Sequence, residues 1–203
     1  MMTIQITESR LLVVEGKDEE LFFEALIEHM GLRNIQVLPV GGKAKLRPSL
    51  KALALSPGFS QVVSLGIVRD ADENATAGFQ SVCDALKDAG LRFPDRCLSP
   101  AGSDPAVTVM ILPGQNKAGT LEDLCLESVA QDPAMGCVEE YFQCLEKQGL
   151  HTPQNLSKAR VQVFLASKQE AGKRLGEAAQ AGYLPWDNRA FEQVKEFLRQ
   201  LGF

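Results

Sequence analysis

The stretch Val62-Val63-Ser64-Leu65-Gly66-Ile67-Val68-Arg69-Asp70-Ala71-Asp72-Glu73 decides the reading of the fold. Gln61 to Arg69 predicts a strand that is apolar on both faces. That is the pattern of a parallel strand covered by helices on each side. It ends in carboxylates. A second stretch repeats the order, with Leu11-Leu12-Val13-Val14 running into Glu15-Gly16-Lys17-Asp18-Glu19. In open α/β sheets, ligands bind in the crevice outside the carboxyl ends of the strands. Carboxylates delivered there by two strands can converge, and converging carboxylates without histidine suit a hard cation such as Mg²⁺.

Working outward, apolar runs and helical patterns alternate. Arg10 to Glu15 predicts the first strand, and a helix follows over about residues 18–30 with Leu21, Phe22, Ala25, Leu26 and Ile27 as its apolar stripe. Ile35 to Val40 predicts a second strand, closed by Gly41-Gly42, and residues 44–55 a helix stopped by Pro57-Gly58. After the third strand come a helix over 75–89 and a fourth strand over 107–112; a further helix starts near Leu121. Arg92 to Pro105, with three prolines, predicts a loop or an extra edge strand. Beyond about Asp132 only helices are predicted, over 134–148, 157–167 and 189–201. The expected fold class is α/β: a four-stranded, mainly parallel, Rossmann-like sheet flanked by helices, with a C-terminal helical appendage. The expected division is 8–130 for the sheet domain and 131–203 for the helical extension.

Composition sets limits on function. The 203 residues are 45% hydrophobic and 23% charged, ordinary for a globular chain. No run of 18 apolar residues predicts a membrane span. The start, Met1-Met2-Thr3-Ile4-Gln5-Ile6, lacks the basic and apolar regions of a secretory signal, so a cytoplasmic protein is expected. The five cysteines include no Cys-x-x-Cys pair; Cys83, Cys125 and Cys144 fall in predicted helices and are expected to be reduced and buried. His29 and His151 lack ligand spacing, which disfavours zinc and places both at the surface. The net charge of −5 argues against a broad basic footprint for nucleic acid. With Glu15, Glu19, Asp70, Asp72 and Glu122 set aside, 21 acidic residues remain against 21 Lys and Arg, so the rest of the surface is balanced.

Each acidic motif has a plain alternative. Gly16 allows a tight turn, and Glu19 sits four residues after Glu15 in the first turn of a helix, pointing back toward the same crevice. The plain reading is that Asp18, Glu19 and Glu20 complement the helix dipole. Asp70 and Asp72 stand at i and i+2 and share a face if the chain stays extended; otherwise they form an acidic turn with Asn74 as cap. Thr120-Leu121-Glu122 enters a helix, where capping would explain both polar residues. Gly41-Gly42-Lys43 lacks phosphate-loop spacing. Lys43, Lys45 and Arg47 nevertheless follow the second strand at the acidic edge, and Lys117 lies near Glu122. Lys43, Lys45 and Lys117 are therefore candidates for a substrate phosphate, against the plain reading of solvated lysines.

These motifs resemble the Toprim domain of topoisomerases, primases, small RNA-maturing nucleases and OLD-family nucleases. The Toprim pattern places Glu-Gly after the first strand and Asp-x-Asp after the third, matched here by Glu15-Gly16 and Asp70-Ala71-Asp72. The OLD-type version adds an acid four residues after the first Glu, matched by Glu19, and a Ser/Thr-x-Glu after the fourth strand, matched by Thr120-Leu121-Glu122. The resemblance covers roughly residues 8–130 and extends to small stand-alone relatives of the OLD nuclease domain. It implies a Mg²⁺- or Mn²⁺-dependent nuclease with two ions, held by Glu15, Glu19, Asp70, Asp72 and Glu122, with Glu15, Asp70 and Asp72 catalytic. The implied substrate is nucleic acid, DNA ahead of RNA, and the implied role is defence against foreign DNA. OLD-type enzymes also use a downstream lysine, for which Lys158 stands in a suitable helix. The ATPase domain of full OLD proteins has no counterpart here, so a partner ATPase or self-association is the expected source of regulation. The competing expectation is a non-catalytic metal- or nucleotide-binding module within a larger complex.

Overall fold

The structure, a computed structural model, describes residues 5–114 and 116–202. Its sheet has four strands, β1 (Arg10–Val14), β2 (Ile35–Pro39), β3 (Ser64–Asp70) and β4 (Ala106–Leu112). All neighbours pair in parallel, in the order β2-β1-β3-β4. The crossovers are α1 (Lys17–His29), α2 (Leu46–Ala54, entered by a 3₁₀ turn at Lys43–Lys45) and α3 (Ala75–Asp88). The remainder is helical: α4 (Leu121–Ser128), α5 (Ala134–Lys147), α6 (Leu156–Ala166), α7 (Leu175–Gln180) and α8 (Glu192–Gly202). Residues 92–105 form no regular strand, but Leu98 and Ala101 hydrogen-bond along the outer edge of β4.

Strand alternation sorts the core into two layers. Leu11, Val13, Leu65, Ile67, Val107, Val109 and Ile111 face α2 and α3. Leu12, Val14, Val68, Met110 and Leu112 face α1 and the helices that follow β4, in one continuous cluster. The central strands are buried on both faces because each face has its own helical cover, as the apolar runs predict. Phe191, just before α8, and Val194, Phe197 and Leu198 on it are fully buried, at 0% exposure. Phe22, Trp186 and Phe191 pack edge-on or tilted at 5.1–5.9 Å and tie the C-terminal segment to α1.

Local expectations fail where packing overrides them. The predicted stripe of α1 is buried at Phe22, Ala25, Leu26 and Ile27, but Phe23 is buried too and Leu21 only half-buried, because sheet and α7 cover the helix from two sides. Cys144 is exposed, as is Cys137, since α5 presents that face to solvent; Cys83 and Cys125 are buried, and all five thiols are free. Helix α7 is too short and too glycine-rich to show a period, yet it packs closely on α1. A Cβ on its Gly176 would lie 2.7 Å from the Asp18 carbonyl oxygen and 2.8 Å from Leu21 Cβ. These are rigid neighbours, so Gly176→Ala is expected to cost about 1–3 kcal/mol as an overpacked contact. Urea melts of the two proteins check this; equal midpoints would show that α7 is not seated on α1.

Candidate functional site

From β1 the chain moves to β2 on one side, then crosses to β3 on the other. The carboxyl ends of β1 and β3 therefore flank the topological switch point, where doubly wound sheets open a crevice. Glu15 follows β1 directly and Asp70 ends β3. Gly16 has φ −147°, ordinary extended backbone, so left-handed freedom is not why glycine stands there. A Cβ at Gly16 would approach Glu19 Oε2 to 3.0 Å, and glycine leaves room for that carboxylate.

The acids of the α1 entrance divide their work. Asp18 Oδ1 accepts from the Gly176 N–H of α7 at 3.2 Å, and Glu20 pairs with Lys17 at 2.7 Å. The Glu19 carboxylate accepts from backbone N–H groups of the α1 entrance and is also coupled to Glu122. At the start of α4, Asp123 accepts from the Thr120 N–H at 2.8 Å and from Thr120 Oγ1 at 3.0 Å. The other oxygen of Asp123 takes the Ser157 hydroxyl at 2.5 Å, which brings the first turn of α6, and with it Lys158, beside this corner. Capping thus falls to Asp123. The first helical N–H, that of Leu121, donates instead to Asp70 Oδ1 at 3.0 Å.

Electrostatics couple several of these carboxylates. Burial pushes the Asp70 carboxyl up to about 8, reinforced by the charges of Glu19, Glu15 and Glu122 and opposed by the Leu121 N–H. Glu19 is raised by burial, then by Glu122 and Asp18. Glu15 is raised by burial; Arg69 opposes this, while Glu19 and Asp72 add to it. Burial raises the Cys125 thiol, with Glu122 and Asp70 contributing, so it is an inert neighbour. Glu19, Glu15 and Glu122 thus bear on Asp70, Glu122 on Glu19 and Glu19 on Glu15, at a cost that a cation or a proton relieves.

Asp72 arrives differently. The strand ends at Asp70, and Asp72 is left-handed, with φ 52°, bridged to Gly119 through backbone bonds of 3.0 and 2.7 Å. The i, i+2 alternation of an extended strand does not carry through to it. Its carboxylate is exposed and meets Lys43 Nζ at 2.5 Å. Lys43 is delivered by the Gly41-Gly42 loop, whose two N–H groups donate to the Glu15 carbonyl at 2.9 and 2.7 Å. Both glycines have positive φ, 80° and 109°, which a side chain would resist. Lys45 folds back over Gly41, and Lys117 lies 3.7 Å from Glu127, at the far end of α4.

Arg69 escapes sequence reasoning altogether. It is 6% exposed on β3, and its Nε lies 3.7 Å from Glu15 Oε1. The available signal was a lone arginine inside an otherwise apolar run, because such a residue is rarely buried unpaired.

The donors, all hard carboxylate oxygens, fit Mg²⁺ or Mn²⁺ in kind. Glu15 Oε1 is buried with no hydrogen-bond partner among the described residues, 3.7 Å from Arg69 Nε, an unmet acceptor that a cation would satisfy. As they stand, no three His, Cys, Asp or Glu side chains among the described residues are close enough to hold a metal ion, so binding requires the carboxylates to draw in.

The family model described as "Protein of unknown function (DUF3226)" matches residues 9–203. The chain belongs to the DUF3226 family. No curated protein matches it. Among solved structures, the DUF3226 chain is similar to the C-terminal region of the Xanthomonas campestris pv. campestris OLD protein phased with mercury. That match has TM-score 0.50 and 16% identity, covering 97% of this chain and 96% of the other. The same region phased with iodine gives TM-score 0.49 and 16% identity, covering 97% of each chain. At this identity the likeness concerns the fold alone. Among the described residues no helix is long and apolar enough to cross a membrane.

Proposed function

We propose that this DUF3226 protein is a metal-dependent nuclease with a Toprim-type site. The support that carries the reading is the coupling of Asp70 with Glu19, Glu15 and Glu122 at the switch point of a parallel sheet, with Asp72 exposed beside it. Support also comes from the order of Glu15-Gly16, Asp70-Ala71-Asp72 and Thr120-Leu121-Glu122, which resembles OLD-type Toprim nucleases. When bound by these five acids, Mg²⁺ or Mn²⁺ ions, two in number, would supply an activated water and charge stabilisation for the leaving oxygen. The protein's own part is positional. The α4 N-terminus holds Asp70 through the Leu121 N–H. The Gly41-Gly42 loop grips Glu15 and presents Lys43 at the rim, where it can exchange Asp72 for a substrate phosphate. The substrate is nucleic acid, DNA ahead of RNA.

Incubation with single- and double-stranded DNA and RNA, in Mg²⁺ or Mn²⁺, tests this. Cleavage that is stopped by a chelator and lost in Glu15→Gln is the expected result. Metal binding without cleavage of any of the four substrates would make the protein a non-catalytic metal-binding module instead.

A further inference from the structure

The β1–β3 pairing runs to Val13 and Ile67, and just beyond it Glu15, which follows β1, comes within 3.7 Å of Arg69 on β3. Arg69 is more than nine-tenths buried, and a guanidinium taken from water at such a position requires a counter-charge. Glu15, itself largely buried, supplies one at 3.7 Å. Yet the contact is open. Arg69 Nε and Glu15 Oε1 are both buried without a hydrogen-bond partner among the described residues. A pair built for stability alone would close to about 2.7–2.9 Å. Lys43 and Asp72 do close, at 2.5 Å, but on an exposed loop where water competes. Arg69 cannot leave; Lys43 can.

We propose that Arg69 is the built-in counter-cation of Glu15: a fixed positioning residue that holds this carboxylate at the crevice in the cation-free protein through a contact too long for a hydrogen bond, which an incoming divalent ion can share. The proposal rests on the metal-site reading above. In the free protein Arg69 offsets the burial of the Glu15 charge. With the ion in place, Glu15 faces positive charge on both sides. Removing Arg69 therefore makes the protein lean on the divalent ion for a role the guanidinium now fills.

Thermal melts with and without Mn²⁺, at one pH, test this on wild type, Arg69→Met, Arg69→Lys, Glu15→Gln and Arg69→Met/Glu15→Gln. Arg69→Met is expected to lower the metal-free Tm by roughly 5–15 °C, as for a broken buried pair. Its Mn²⁺ gain should exceed that of wild type. Arg69→Lys should keep the wild-type gain, and the double variant should recover metal-free stability without the enhanced response. Should Arg69→Met not fold alone, it is expected to refold from urea only when Mn²⁺ is present. A Mn²⁺ gain in Arg69→Met no larger than that of wild type, or failure to refold in both conditions, overturns the proposal. In the first case the metal site itself stands. A wild type without any Mn²⁺ gain overturns both.

Discussion

Replacing Asp70 by Asn should abolish cleavage and, without metal, make the protein more stable rather than less. The carboxyl of Asp70 is pushed up to about 8, first by burial and then by Glu19, Glu15 and Glu122. In the unfolded chain it titrates near 3.9. Between those values the folded state binds the extra proton, so the Asp70 contribution to stability falls as pH rises from about 4 to about 8 and is level beyond. The ceiling on that loss is about 6 kcal/mol. Asparagine removes the charge and keeps an oxygen for the Leu121 N–H. The stability of Asp70→Asn relative to wild type, from urea melts at pH 5, 7 and 9, should therefore grow with pH and flatten above about 8. Mg²⁺ or Mn²⁺ should narrow the gap. At a hundred times its dissociation constant, a ligand stabilises by about 2.7 kcal/mol. Wild type should show that gain most fully above pH 8, where no proton competes, and the variant should show none. An Asp70→Asn protein that still cleaves, or whose advantage shrinks with pH, would retire this account of the site.

Ending the chain after Asp187 should leave no native protein. The deletion removes Phe191, Val194, Phe197, Leu198 and Leu201, all at 0% exposure. Truncating a single buried Leu or Phe costs about 2–5 kcal/mol, and a whole domain is stable by about 5–15. The loss also opens the sheet at its centre: a Cβ at Gly66 would lie only 2.9 Å from Phe197 Cζ, so β3 has no cover of its own there. Near-UV circular dichroism from Trp186, which packs 5.1 Å from Phe191, should collapse, and dye binding to exposed apolar surface should rise. A truncated protein melting like the full chain would show that α8 is not part of the core.

The sequence by itself determined the elements and their order. Leu11 to Val14 and Leu65 to Val68 read as strands because every residue is apolar, and each is buried because helices cover both faces. That Glu15 and Asp70 follow such strands was legible too, since a run of local polarity is written in the chain. Tertiary structure alone decided the rest. Strand order, and with it the switch point between β1 and β3, depends on which way the crossover after β2 turns, and periodicity carries no record of that. Pairing of β1 with β3 brought Arg69 to within 3.7 Å of Glu15 across 54 positions of chain. A bridge to Gly119 bent Asp72 out of alternation and toward Lys43. Helix α7 exists through its contact with α1, having too few residues to show a period. Charge and burial at the crevice arise from groups brought together from four separate segments. The energy of a buried carboxylate is set by those neighbours and by excluded water, and neither is a property of the residues beside it in sequence.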